Sequence, residues 1–107
     1  KLINLTPHTL HVYSGSDIHA IKPEAQPARA AVTRQQIGTI ESDGLVVPLY
    51  RTVFGAISGL PEPEAGTVYL VSSIVAQAVK RDDVLIVDGM VRDSEGRILG
   101  CRACARV

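Results

Sequence analysis

The chain has no tryptophan, a single phenylalanine, a single methionine, two cysteines and no formal net charge. Each scarcity closes off a class of function. With 11 basic residues balancing 11 acidic ones, nothing draws the surface as a whole to a nucleic-acid backbone or an anionic membrane, although a local basic pocket stays open. The cysteines, Cys101 and Cys104, form one C-x-x-C, and a thiolate zinc site would need two more ligands at comparable spacing. They read as reduced thiols of a cytosolic protein, one or both packed in the last strand. Hydrophobic residues make up 46% of the chain, but in short runs, whereas a membrane-spanning helix needs about 20 apolar residues in succession. The first residues lack the basic stretch and apolar core of a secretory signal. The expectation is a soluble, cytoplasmic protein with neither a membrane nor a nucleic acid as partner.

What is present is a β-rich pattern. A length of 107 residues suits a single domain over 1–107 that buries its core without staples. The stretch from Thr67 to Cys101 is the most regular. Val68 to Leu70 is apolar on both faces, as a central strand is. Ser72 or Ser73 can cap a helix of about two turns, in which Val71, Ile74, Val75, Ala78 and Val79 recur at the spacing of one face. Val84 to Val87 then reads as a buried strand, Asp88-Gly89 as a turn, Met90-Val91 as the start of another strand, and Asp93 to Gly96 as a hairpin turn into Arg97 to Cys101.

Upstream, Leu2 to Leu5 and Thr9 to Tyr13 read as two strands joined in a hairpin across Thr6-Pro7-His8, with Ser14 to Asp17 as a turn. Lys22 to Pro27 reads as an irregular connection. Arg29 to Thr33 and Gln36 to Glu41 read as neighbouring short strands, followed by a tight Ser42-Asp43-Gly44 turn. Leu45 to Ile57 is rich in β-branched and aromatic residues, but Pro48 and Gly55 make it an edge strand or two strands with a bend. The loop Ser58 to Gly66 closes this half. The fold class expected is α+β, mostly β: a small antiparallel or mixed sheet with one short helix packed on it.

Few residues offer chemistry. His8 and His11 are three apart, which on a strand sends them to opposite faces and away from a shared metal. No G-x-S-x-G elbow and no phosphate-binding G-x-x-x-x-G-K-[ST] loop occurs, and Asp82-Asp83 reads as a solvated turn. No catalytic group, metal site or cofactor is expected. What remains is arginine beside aromatic rings: Arg51 between Tyr50 and Phe54, Arg92 beside Asp93 before a turn, and Tyr69 in the central strand. Guanidinium forks match phosphate oxygens and aromatic faces stack bases, so these could form a nucleotide pocket. The plainer reading makes Arg51 a surface strand residue and pairs Arg92 with Asp93 or Glu95.

The ordered segments INLTPH (3–8), RTVFG (51–55), GLPEPEAGTVYLVSSIVAQA (59–78) and VRDSEGRILGC (91–101) resemble a family of small phage and prophage proteins. The resemblance spans most of the chain and is least clear over 29–48. It points to the phage sponge proteins that block Thoeris antiviral defence by sequestering a cyclic ADP-ribose signal, burying it uncleaved in a symmetric oligomer. The resemblance implies that Arg51 and Arg92 grip pyrophosphate oxygens, with Phe54 or Tyr69 as the stacking ring and Asp93 beside them. It further implies a homo-oligomer, a hexamer among the states allowed. Two other readings stay open: a nucleotide-processing enzyme using His8 or Asp93 as acid or base, and a protein-interaction inhibitor of a host defence factor acting through an exposed edge strand.

Overall fold

The computed structural model describes all of residues 1–107 and shows an α+β, mostly β architecture, with 58% of residues in strands and 7% in one helix. The elements are β1 (Leu2–Asn4), β2 (Leu10–Ser14), β3 (Asp17–Ile21), β4 (Arg29–Ser42), β5 (Leu45–Ser58), β6 (Val68–Leu70), α1 (Ser73–Val79), β7 (Val84–Arg92) and β8 (Ile98–Ala105). Six strands form a mixed sheet in the order β1-β6-β7-β8-β2-β3, while β4 and β5 pair only with each other.

The central part follows the local pattern closely. β6 lies between β1 and β7, parallel to both, and its Tyr69 and Leu70 are fully buried, as in a central strand. Ser72 caps α1, its Oγ accepting from the Val75 amide at 3.5 Å, and Lys80 ends the helix in the left-handed region at φ 50°. The helix buries Val75 and Ala76 on the sheet; Ile74, expected in the buried stripe, is about half exposed. A helix of seven residues is held by this packing and not by propensity. Leu5, Ala28, Tyr69, Val71, Val75, Ala76 and Val84 make the core cluster. Below it, Arg81 and Asp83 pair at 2.6 Å, and Arg81 Nη1 also donates to the Pro61 carbonyl at 3.0 Å, tying the loop before β6 to the end of the helix.

Three sequence expectations are corrected. The segment Thr6-Pro7-His8 is not a hairpin: β1 pairs in parallel with β6, and β2 pairs with β3 and β8. Fully buried Asn4 turns the chain there, its Nδ2 donating to the carbonyls of His8 and Ile21, both at 2.8 Å, and its Oδ1 accepting from the Thr6 amide and hydroxyl at 2.9 and 2.7 Å. Asp88-Gly89 is no turn, because β7 runs straight through it with Gly89 at φ 60° against Arg102 and Ala103. Arg29–Ser42 is one strand of 14 residues, where two short ones, Arg29 to Thr33 and Gln36 to Glu41, were expected.

That strand and its equally long partner β5 form an arm. Asp43 and Gly44, at φ 52° and 78°, make the tight turn at its tip, as Asp-Gly predicts. Fourteen residues at about 3.3 Å each give an arm of roughly 46 Å. It meets the body at its base, where α1 touches both strands and Ala28 and Ala30 join the core. Bulges at Ala30/Val32 and Gln36/Gly38 adjust its register, and Pro48 sits opposite Thr39 in a strand with one open edge, where a missing amide is tolerated.

Candidate functional site

The five residues singled out by sequence lie in three different places. Arg51 and Phe54 are on the arm, opposite Gln35 and Val32, and both are exposed. Side chains alternate along a strand, so Leu45, Val47, Leu49, Arg51 and Val53 share one face of β5, and Phe54 looks out from the other with Tyr50. Arg34 covers the Tyr50 ring, its guanidinium carbon 4.3 Å from the centroid. Tyr69 is a core residue, 2% exposed, beside Val84 at the start of β7. Its ring offers no stacking face, which corrects the expectation placed on it.

Arg92 ends β7, eight residues beyond Val84 and therefore about 26 Å along the strand from Tyr69. Its Nη1 donates to the Gly96 carbonyl at 2.8 Å, and not to Asp93 or Glu95. Asp93 is also engaged: Oδ1 accepts from the amides of Glu95 and Arg97, both at 2.9 Å, and Oδ2 from Arg97 Nε at 3.2 Å. Both residues thus brace the β7–β8 turn, the ordinary work of an Asp-led turn. Among the eight arginines, Arg81, Arg92, Arg97 and Arg106 hydrogen-bond within the chain, and Arg34 and Arg102 lie over tyrosine rings. Arg29 and Arg51 have no partner of either kind, so their donors are free for a ligand.

Sequence reasoning missed a cleft of about 370 Å³ on the six-stranded sheet. It is lined by His8, Leu10 and His11 from one side and by Met90, Leu99 and Gly100 from the other, among its ten residues. His8 precedes β2, so strand alternation does not separate it from His11, and both residues line the same cleft. Gly100 lets β2 approach β8: a Cβ there would stand 2.3 Å from the His11 carbonyl oxygen and 2.8 Å from the Tyr13 ring. The β2–β8 contact joins strands distant in sequence, and no local pattern signals it. No group of three or more His, Cys, Asp or Glu is placed to hold a metal ion.

Two ionisable environments depart from the ordinary. The hydrogen bonds from Arg81 hold the Asp83 carboxyl below the usual carboxylate range, against burial, and Arg81 itself is raised by the same contact. The Cys104 thiol is raised, first by burial and then by Cys101 and Asp88. Cys101 is buried and Cys104 exposed, both free, and three residues along a strand place them on opposite faces. No helix is long and apolar enough to cross a membrane. Comparison with protein-family models, with curated proteins and with solved structures gives no match in any of the three.

Proposed function

We propose that this chain is a phage-encoded, non-catalytic binding protein that sequesters a cyclic nucleotide signal of the cyclic ADP-ribose class and so blunts a host antiviral defence. The observation that carries the reading is Arg51: an exposed guanidinium with no partner in its own chain, on a strand that also presents Phe54. A free planar fork of donors matches a phosphate bidentately, and a ring on the same arm can stack a base. Arg92 is the secondary candidate, since gripping a phosphate would cost it the bond to Gly96. Because Arg51 and Phe54 point to opposite faces of the arm, a single pocket holding both needs walls from outside one copy, as clefts between subunits supply. The family resemblance contributes the ligand class and the phage setting.

The test is to incubate the purified chain with cyclic ADP-ribose isomers, remove unbound ligand, denature by heat and identify what is released. Intact ligand is expected. Arg51→Ala should weaken binding roughly 10- to 150-fold, the worth of about 1.5–3 kcal/mol for hydrogen bonds to a charged group. Arg51→Lys should restore only part of it, because an ammonium cannot form the two-pronged contact. No bound ligand, or a cleaved product, overturns the reading.

A further inference from the structure

The cleft of about 370 Å³ beside Gly100 is a gap in the sheet and not a dent in one of its faces. It is lined by four successive residues on one side, His8 to His11, and four on the other, Ile98 to Cys101, with Val87 and Met90 from β7. Side chains alternate along a strand, so a pocket on one face would be lined by every second residue. Strand pairing gives the reason. β2 and β8 pair at Val12 and Cys101, and none of His8 to His11 pairs with β8. The strands touch where Gly100 lies against the His11 carbonyl, and the pairing stops there, leaving a slot toward His8.

The two walls differ in character. The β2 wall carries the polar side chains His8, Thr9 and His11, whereas the β7–β8 wall is apolar apart from the Cys101 thiol. The chain's own side chains leave that apolar wall uncovered: Met90, Ile98 and Leu99 are 43%, 57% and 46% exposed, three of the six large hydrophobic residues left exposed outside β4 and β5. None of the ten lining residues is Asp, Glu, Lys or Arg, although these make up 21% of the chain. A charged ligand would lose its hydration here without meeting an opposite charge. A neutral imidazole offers one donor and one acceptor, and a threonine hydroxyl offers both, so the polar wall answers a ligand group that also does both. The volume falls in the range of small-molecule sites, about 300–1,000 Å³.

We propose that this cleft binds an uncharged, mostly apolar small molecule that carries a carboxamide or hydroxyl group on one edge. The apolar edge lies against Met90, Ile98 and Leu99, and the polar edge against His8, Thr9 and His11. The site is separate from the one proposed around Arg51, which is on the arm, and no arginine or lysine in the cleft could grip a phosphate. It therefore does not rest on the nucleotide reading, and either can fail alone.

Titrating the intact chain at pH 8 with three probes of one shape, and following its amide chemical shifts, tests the proposal. The probes are 2-naphthamide, which is uncharged, 2-naphthoate, an anion, and 2-naphthamidine, a cation. Saturable shifts centred on His8–His11 and Ile98–Cys101 are expected with the naphthamide, with an affinity at least tenfold lower for each ion. The shift map and the order of the probes need no variant to fold. Leu99→Trp, which fills the cleft from a half-exposed position, should weaken naphthamide binding at least tenfold. Val47→Arg and Arg51→Ala, both on the exposed arm, should each change it less than twofold. Absence of saturable shifts overturns the proposal. So do shifts centred on the arm, equal affinity for the three probes, or unchanged binding in a folded Leu99→Trp.

Discussion

Removing the Asn4 side chain should unfold this protein more readily than any other single polar truncation. The residue is fully buried and makes four hydrogen bonds, holding the Thr6–His8 turn and the end of β3 to β1. In Asn4→Ala the carbonyls of His8 and Ile21 and both donors of Thr6 lose their partner. His8 is exposed and Thr6 and Ile21 are half-buried, so water recovers part of the loss. At about 0.5–1.5 kcal/mol net per bond, the cost is roughly 2–4 kcal/mol. For a chain of this size each kcal/mol lowers Tm by about 4–8 °C, so a fall of roughly 8–32 °C follows. Asn4→Asp discriminates better. It keeps the acceptor facing Thr6 but turns both donations into a carboxylate against two carbonyls, so at neutral pH it should be at least as damaging as alanine. It should recover on acidification, when a protonated carboxyl can donate once. Urea unfolding at fixed protein concentration, at pH 7 and below the carboxyl range, measures both. An Asn4→Ala loss under about 0.5 kcal/mol, within the range of an ordinary surface substitution, would refute the role given to this network.

Two further outcomes follow from the geometry. Gly100→Ala places a methyl 2.3 Å from the His11 carbonyl oxygen, so β2 must shift from β8; a loss of about 1–3 kcal/mol in urea unfolding is expected, with altered amide shifts confined to β2 and β8. The Asp83 carboxyl is held low by Arg81, so the stability it contributes is complete above its unfolded value near 3.8 and lost as pH falls through the lower folded value. The stability difference between the unmodified chain and Asp83→Asn should therefore be constant near neutral pH and shrink in acid, and a difference that grows in acid would contradict the pairing.

Where structure depends on neighbours in sequence, it could be read from the sequence. The Ser72 cap, the Asp43-Gly44 turn and the Asp93 turn all use side-chain and backbone chemistry within four residues. What crossed the chain was hidden. The parallel β1–β6 pairing replaced the expected hairpin at Pro7, and the β2–β8 contact brought His8 and His11 to a cleft that strand alternation argued against. Pro48 and Gly55 pointed to an edge strand or to two strands with a bend, and β5 runs as one strand through both with an open edge. The arm holds the sharpest lesson. Its β-branched and aromatic content reads as strand, but nothing local shows that two strands of 14 residues pair only with each other and stay exposed over most of their length. Of the site residues, Arg51 remains free to act, Arg92 and Asp93 brace a turn, and Tyr69 belongs to the core.

Native mass spectrometry of the intact chain, mixed with cyclic ADP-ribose isomers, tests the sequestration most directly because it weighs protein and ligand together. The expected spectrum shows an assembly carrying ligand of unchanged mass, with the adduct lost in Arg51→Ala while the assembly persists. Protein that stays bare at saturating ligand, or an adduct with the mass of a cleavage product, would contradict it.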